Sequence, residues 1–378
     1  MAAAFAPLAG VRVLELAPFL PGPFAGAQLQ ALGAQVVKLE PPGGDPGRHL
    51  PDELFAMNNR GKQSVCVDLK APDARALVQR LVARFDVVLE GFRPGVAARL
   101  GVDYDTLKQA RPDLIYCSLS GFGQQGPRAA LPGHDLTYLA AGGALARPGH
   151  WQGPPQRPGV PVADTAGGLF AALAVVSALL RRATTGEGAY LDASLTDAAL
   201  SLAACRGLAP TQSRAHLHPA NDLFTCRDGA LIAAGLLEDH FFNGFVAALG
   251  EAGNALRAPQ YADIASRQRH GDALQAILTA LFVSRDAADW AALADAHRLP
   301  MVRVLSVAQA LAQQDPAAPA PAFPVRIDGA HLPAPARSAP TLGADAASVL
   351  AAIGYDAAAI AALTTAGVLP PAPTTEPS

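Results

Sequence analysis

Short aliphatic runs alternating with helix-patterned stretches constrain this chain more than any other feature. Val11-Arg-Val-Leu-Glu-Leu16 reads as a strand, Pro18 to Pro23 as a turn, and a helical pattern carrying Phe24, Leu29 and Leu32 closes at Gly33, a natural helix stop. Val36 to Leu39 resumes a strand. The alternation continues with Ser64–Asp68, a helix around Ala71–Arg84, then Val87–Leu89 and Leu114–Leu119. Strands separated by helices predict an α/β fold with a parallel sheet wound on both faces.

The chain is 378 residues long, enough for two domains or one large domain with an insertion. From Gly121 to Pro161 the composition turns to Gly, Pro and lone polar residues, which predicts a long loop of the kind that carries function or disorder. An apolar helix follows from Asp164 to Arg182, then a strand at Ala189–Asp192 and a helix to about Cys205. Leu223–Cys226 and Ala230–Ala233 flank Asp228-Gly229 and predict a hairpin. Helices at Glu238–Leu249, Ala273–Phe282 and Ala287–His297 complete a smaller unit, and Pro-rich sequence leads back to two short helices and an expected disordered tail from Pro370. The expected division is a discontinuous large domain, 1–205 and 330–378, around a small domain, 222–315, with linkers 206–221 and 316–329.

Net charge is −3, and no cluster of Lys and Arg interleaves with aromatics, so nucleic acid is not an expected partner. The four cysteines lie far apart and read as reduced thiols rather than a zinc site, so no metal is expected. The start lacks the basic region of a secretory signal, and the end, Glu-Pro-Ser, is no peroxisomal address. The longest uncharged apolar stretch, Ala166 to Leu180, is shorter than the roughly 20 residues that span a bilayer. A cytoplasmic protein without a membrane partner is therefore expected. Neither the dinucleotide fingerprint nor the P-loop pattern occurs.

Basic residues recur after strands: Lys38, the Arg60-Gly61-Lys62 group and Arg93. They are either solvated charges or, at the carboxyl ends of a parallel sheet, anchors for phosphate. In the long loop, Gly133-His134-Asp135-Leu-Thr-Tyr138 sets an imidazole and a carboxylate beside a glycine that lets a ligand approach. Asp164 would cap the apolar helix, or stand at its mouth as nucleophile or base. Glu238 opens another helix, where an acid complements the dipole.

Taken together these residues resemble family III CoA-transferases and α-methylacyl-CoA racemases. The resemblance rests on Leu8 to Leu16 with Pro21-Gly-Pro-Phe-Ala-Gly26, Leu32 to Asp45, Asn59-Arg-Gly-Lys62, Val67-Asp-Leu-Lys70, Glu90-Gly-Phe-Arg-Pro-Gly95, Ser118 to Gly123, Gly133-His-Asp135, Ala163-Asp164 and Thr185-Gly-Glu-Gly188. It implies a Rossmann-like large domain, an inserted smaller α+β domain and two chains interlocked as a homodimer. It also implies an acyl-CoA substrate, with CoA arriving as part of it and no separate cofactor.

Gly133-His134-Asp135 resembles the racemase branch more than the transferases, as does Glu238 in place of a glycine run. The expected reaction is therefore epimerisation of 2-methylacyl-CoA, with His134 and Glu238 serving one face of the α-carbon and Asp164 the other. The Asp135 amide would stabilise the enolate. The alternative is a CoA-transferase in which Asp164 carries the acyl group. The resemblance makes Lys38, Asn59, Arg60, Lys62, Arg93, Gly133, Asp135 and Tyr138 the candidate contacts to the CoA ester. At Lys38 the racemases often carry Arg, so bidentate phosphate contact is lost there.

Overall fold

Six strands form one parallel sheet in the order β3-β2-β1-β4-β5-β6: β1 Arg12–Leu16, β2 Gln35–Glu40, β3 Gln63–Cys66, β4 Val87–Glu90, β5 Ile115–Ser120 and β6 Ala189–Ser194. The computed structural model describes residues 5–51, 53–153, 156–208, 213–332 and 334–370. The first four residues and the expected tail beyond 370 lie outside them. Registers such as Val13↔Val36, Val13↔Val87 and Val37↔Gln63 are parallel, as the helix-separated runs require. Strands β4 and β5 are buried along their whole length, which explains why they read as continuous aliphatic runs rather than alternating ones. The strand order reverses between β1 and β4, and in doubly wound sheets the crevice at the carboxyl ends of that pair receives the ligand.

Helix α1, Pro21–Ala31, begins inside the sequence expected to be a turn. Pro21 and Pro23 lie in the first turn, where a missing backbone N–H costs no hydrogen bond. Helices α2 Leu54–Asn59, α3 Ala74–Val82, α4 Val96–Leu100 and α5 Tyr104–Leu107 follow in the successive crossovers. The expected long loop is not structureless: it holds α6, Asp135–Ala141, which opens at His134.

Helix α7, Val162–Thr185, packs on α1 so closely that a Cβ at Gly168 would stand 2.7 Å from the Pro21 carbonyl oxygen. Glycine there lets the start of α1 and the first turns of α7 approach each other. Helix α8, Leu195–Ala204, follows β6. By composition α7 is long and apolar enough to cross a bilayer, and about half of it is buried within the protein.

The chain divides into two compact units, the first comprising the described residues of Met1–Ala144, Pro158–Ala203 and Ala318–Ser378. The second takes Leu145–Arg157 and Ala204–Ala317. Its sheet is the expected hairpin, β7 Asn221–Thr225 and β8 Leu231–Gly235, extended by β9, Met301–Arg303, which the sequence did not signal. Phe224, Phe245, Phe282 and Trp290 form its core, with Phe224 and Phe282 stacked at 4.4 Å. The 145–157 stretch, assigned from sequence to the large domain, packs in this second unit. Trp151 is buried there, its ring nitrogen donating to Asp272 at 2.8 Å and its backbone N–H to Asp222.

Candidate functional site

The carboxyl ends of β1 and β4 carry two loops that face the crevice, Ala17–Leu20 and Gly91–Gly95. Below the first lies a cluster of four charges, all nearly inaccessible to solvent: Glu15, Lys38, Asp45 and Lys62. Lys38 Nζ meets Glu15 Oε1 at 2.9 Å, Asp45 Oδ2 at 2.8 Å and the Ala17 carbonyl at 2.7 Å. Lys62 Nζ meets Glu15 Oε2 at 2.7 Å, the Pro23 carbonyl at 2.9 Å and Asn59 Oδ1 at 3.0 Å. Each ammonium has three oxygens within 3.0 Å, and two cations balance two carboxylates.

Burial alone would push Glu15 up, but the two lysines hold its carboxyl below the usual range. The lysines part company. Burial disfavours both charges, yet Lys38, with two carboxylates beside it, ends above its ordinary value, whereas Lys62, with one carboxylate and a lysine neighbour, falls to about 8. Lys38, Lys62 and Asn59, expected as contacts to the CoA ester, are thus consumed in the protein interior. Arg60 also turns inward, toward the Pro335 carbonyl at 3.4 Å. Sequence spacing put these cations after strands, whereas Lys38 lies inside β2 and Arg60 and Lys62 precede β3, and it could not show that Glu15 and Asp45 already neutralise two of them.

Arg93 differs. It is exposed and its side chain carries no hydrogen bond or ion pair among the described residues, while the adjacent Phe92 N–H is tied back to Glu90. Its charge reaches Tyr138, whose phenol also feels Asp164: burial and Asp164 raise the Tyr138 pKa, and Arg93 opposes them. The Tyr138 ring occupies a slot between two glycines. A Cβ at Gly121 would lie 2.3 Å from the ring and one at Gly133 would lie 2.5 Å from it. Gly133 therefore makes room for Tyr138.

Asp135 reaches from the first turn of α6 to the start of α7. Its Oδ1 accepts from the backbone N–H groups of Ala163 at 2.8 Å and Asp164 at 3.3 Å. Asp135 thus fills the capping role expected of Asp164, and its own backbone N–H remains without a partner. Asp164 is the third residue of α7, partly buried, and its carboxyl accepts no hydrogen bond among the described residues. The helix terminus favours its charged form. Burial, reinforced by the Asp135 carboxylate, outweighs that and raises its pKa to about 7. The result is a carboxyl without a hydrogen-bond partner among the described residues that titrates near neutrality and whose charge is felt by the Tyr138 phenol.

His134 is exposed, and its ring stands edge-on to Phe19 with centroids 6.3 Å apart. Its backbone N–H donates to Thr137 Oγ1 at 3.0 Å. Glu238 occupies the residue before helix α9, Asp239–Ala248, in the second unit, exposed and making no side-chain cap. A cavity of about 400 Å³ opens beside the first loop, walled by Leu39, Pro41, Val67, Leu69, Phe92 and Leu100. Lys70 lies at this cavity, exposed and without an ion pair among the described residues. The sequence reading quoted it within Val67-Asp-Leu-Lys70 but did not select it as a contact.

Comparison with known proteins places this arrangement. An acetyl-CoA:oxalate CoA-transferase from Acetobacter aceti is 34% identical over 371 residues, covering 91% of this chain and 95% of that one. The human α-methylacyl-CoA racemase is 36% identical over 257 residues, 64% of this chain and 65% of that one. The racemase thus matches over less of the chain than this transferase does, and the racemase activity expected from Gly133-His134-Asp135 is not singled out. A CAIB/BAIF family protein from Brucella suis superposes with a TM-score of 0.79 at 32% identity, covering 92% of this chain and 99% of the other. The sequence profile of CoA-transferase family III matches residues 8–346, and this chain belongs to that family of transferases and racemases acting on acyl-CoA esters.

Proposed function

We propose that this protein is a CoA-transferase that moves CoA from an acyl-CoA to a carboxylic acid through covalent intermediates on Asp164. The observation that carries the reading is the Asp164 carboxyl itself: partly buried, accepting no hydrogen bond, and titrating at about 7. A carboxylate without partners keeps its lone pairs free for attack, and partial desolvation sharpens it as a nucleophile.

In the first step Asp164 attacks the thioester carbonyl, the C–S bond breaks, and CoA leaves as a thiolate from a mixed anhydride. The thiolate then attacks the Asp164 carbonyl carbon, releasing the donor acid as a carboxylate and leaving CoA on Asp164 as a thioester. An acceptor carboxylate expels the thiolate to form a second anhydride. Thiolate attack on the acceptor's carbonyl yields the new acyl-CoA and restores Asp164. No net proton, electron or metal is required. The Asp135 amide, which has no hydrogen-bond acceptor among the described residues, is the donor we assign to the oxyanion of these tetrahedral states.

Free Arg93 beside Tyr138 suits an acceptor with a second carboxylate, and oxalate stands in the name of the Acetobacter relative. The cavity walled by Leu39, Leu69 and Phe92, with Lys70 at hand, suits an apolar ring and the phosphates of CoA. The second reading, racemisation, is favoured by one observation, the exposed His134 one residue before Asp135. A second copy of the chain is the proposed cover for the apolar stripe of Leu169, Phe170, Leu173, Leu200 and Leu202 on α7 and α8, and sedimentation at a monomer mass would remove it.

The test is incubation with a 2-methylacyl-CoA in deuterated water, with and without a dicarboxylic acid, following both the acceptor and the α-carbon by mass spectrometry. CoA on the acceptor, abolished in Asp164→Ala, is expected. Deuterium at the α-carbon with no transfer would overturn the transferase in favour of the racemase.

A further inference from the structure

Among the described residues three other than glycine hold a positive φ: Phe19 at 62°, Arg298 at 52° and Asp328 at 51°. Arg298 ends the helix Ala287–His297 as its C-cap, and Asp328 with Gly329 turns the short hairpin of Arg326–Ile327 on Ala330–His331. Both are ordinary uses of the left-handed region. Phe19 has neither. It sits between β1 and α1, at the carboxyl end of the sheet, and an aromatic side chain offers no local hydrogen bond to offset that conformation. Strain of this kind persists only where the surroundings impose it, and it gathers where ligands are handled.

The surroundings that impose it are the buried charges. Asp45 Oδ1 accepts from the Phe19 backbone N–H at 3.0 Å and from the Gly47 N–H at 2.8 Å, while Asp45 Oδ2 is held by Lys38 at 2.8 Å. Lys38 in turn shares Glu15 with Lys62. A clamp on the backbone leaves the ring itself free, 38% exposed and edge-on to His134 at an interplanar angle of 87°. His134 adjoins Asp135, which binds the amide of Asp164. The ring therefore stands on the side of the crevice where Asp164 waits.

We propose that Phe19 is a specificity-determining residue, the rigid apolar wall against which the acyl group packs, held in position by the Asp45–Lys38 pair. This rests on the reading of the Asp164 site as an acyl-CoA site. With the backbone pinned by Asp45 the ring is kept beside His134, where it contacts a small acyl group and occupies the volume that a bulky one would need. A change of this size in an apolar pocket alters discrimination by about one to two orders of magnitude.

The test compares wild type, Phe19→Gly and Phe19→Ala with acetyl-CoA and 2-methylbutanoyl-CoA. Dissociation constants come from calorimetry and kcat/KM from transfer to oxalate. The preference for the bulky over the small ester is expected to rise about tenfold or more in both variants. Phe19→Gly is expected to melt above Phe19→Ala, because glycine accepts the positive φ that alanine resists. An unchanged preference, or a parallel loss on both esters, would overturn the assignment, as would alanine melting above glycine. Wild type that binds both esters but transfers neither would sink the transferase reading, and the binding preference would still decide Phe19. Wild type that binds neither ester would sink both.

Discussion

Glu15 and Asp164 are carboxylates withdrawn from water in the same unit, and their surroundings give them opposite characters. Glu15 is buried completely, holds two lysines and stays charged below the usual carboxylate range. Asp164 is buried in part, holds nothing, faces the like charge of Asp135 and rises to about 7. Depth therefore does not separate a structural acid from a reactive one. Partners do: a fully satisfied buried charge has no capacity left for chemistry, whereas an unsatisfied one is costly and available.

The largest effect expected from breaking this contrast is at Asp164. Asp164→Asn keeps the shape and removes the nucleophile, so turnover should fall about 10⁴-fold or more. The same variant should be more stable than wild type at pH 8. Because the folded pKa lies above the unfolded one, the folded protein binds the extra proton between about pH 4 and 7, and wild-type stability falls as pH rises through that window. A rise from near 4 to about 7 is equivalent to about 4 kcal/mol at most, and solvent access should reduce the observed gain to about 1–2 kcal/mol. Urea titrations of both proteins at pH 5 and pH 8 check this. Equal stability at both pH values would mean that Asp164 is better solvated or partnered than its surroundings indicate.

Next in size is the reverse experiment on the satisfied cluster. Lys62→Met leaves Glu15 with one cation and removes the donor to the Asn59 side-chain oxygen. Removing one partner from a buried ion pair costs about 3–5 kcal/mol. The melting temperature should fall by about 4–6 °C for a chain of this size. A second substitution, Glu15→Leu in the same chain, should recover much of the loss, because replacing a whole buried pair by apolar groups is far less costly than breaking it. If Lys62→Met leaves the melting temperature unchanged while weakening CoA-ester binding, the lysine is a ligand contact after all and the contrast with Asp164 fails.

The fold was legible because its signals are local. Val11–Leu16, Val36–Leu39 and Leu114–Leu119 are largely buried and therefore rich in β-branched and aliphatic residues, and helix-length spacers separate them. Helix α6 was hidden in Gly- and Pro-rich sequence because its seven residues, opening at His134, carry too short a repeat to register as periodic. Strand β9 was hidden because three residues cannot alternate enough to show a period. Within the site, Asp164 and His134 stood out by residue type, and Asp164 keeps its candidacy. The lysines misled because charge is visible in sequence while pairing is not: Glu15 lies 23 residues from Lys38 and 47 from Lys62. Phe19 gave no signal at all, since a positive φ on a phenylalanine is set by Asp45 from 26 residues away.

Arg93 makes the sharpest small test, because it is the cation that the comparison leaves unspent. Lys38 within β2 and Lys62 just before β3 are spent on buried carboxylates, and the Arg93 side chain, just after β4, is not. Arg93→Ala should leave the melting temperature within about 1 °C, since no hydrogen bond or ion pair is lost and an exposed side chain contributes little. Transfer to a dicarboxylate should slow by about 10- to 30-fold in kcat/KM, the loss expected when one charge-assisted contact disappears, and the deficit should shrink as salt rises. A monocarboxylate acceptor should be affected much less. If both acceptors suffer equally and the affinity for CoA itself falls, the guanidinium serves the phosphates, and selection of the acceptor must come from elsewhere in the crevice, with Lys70 and Tyr138 the next positions to change.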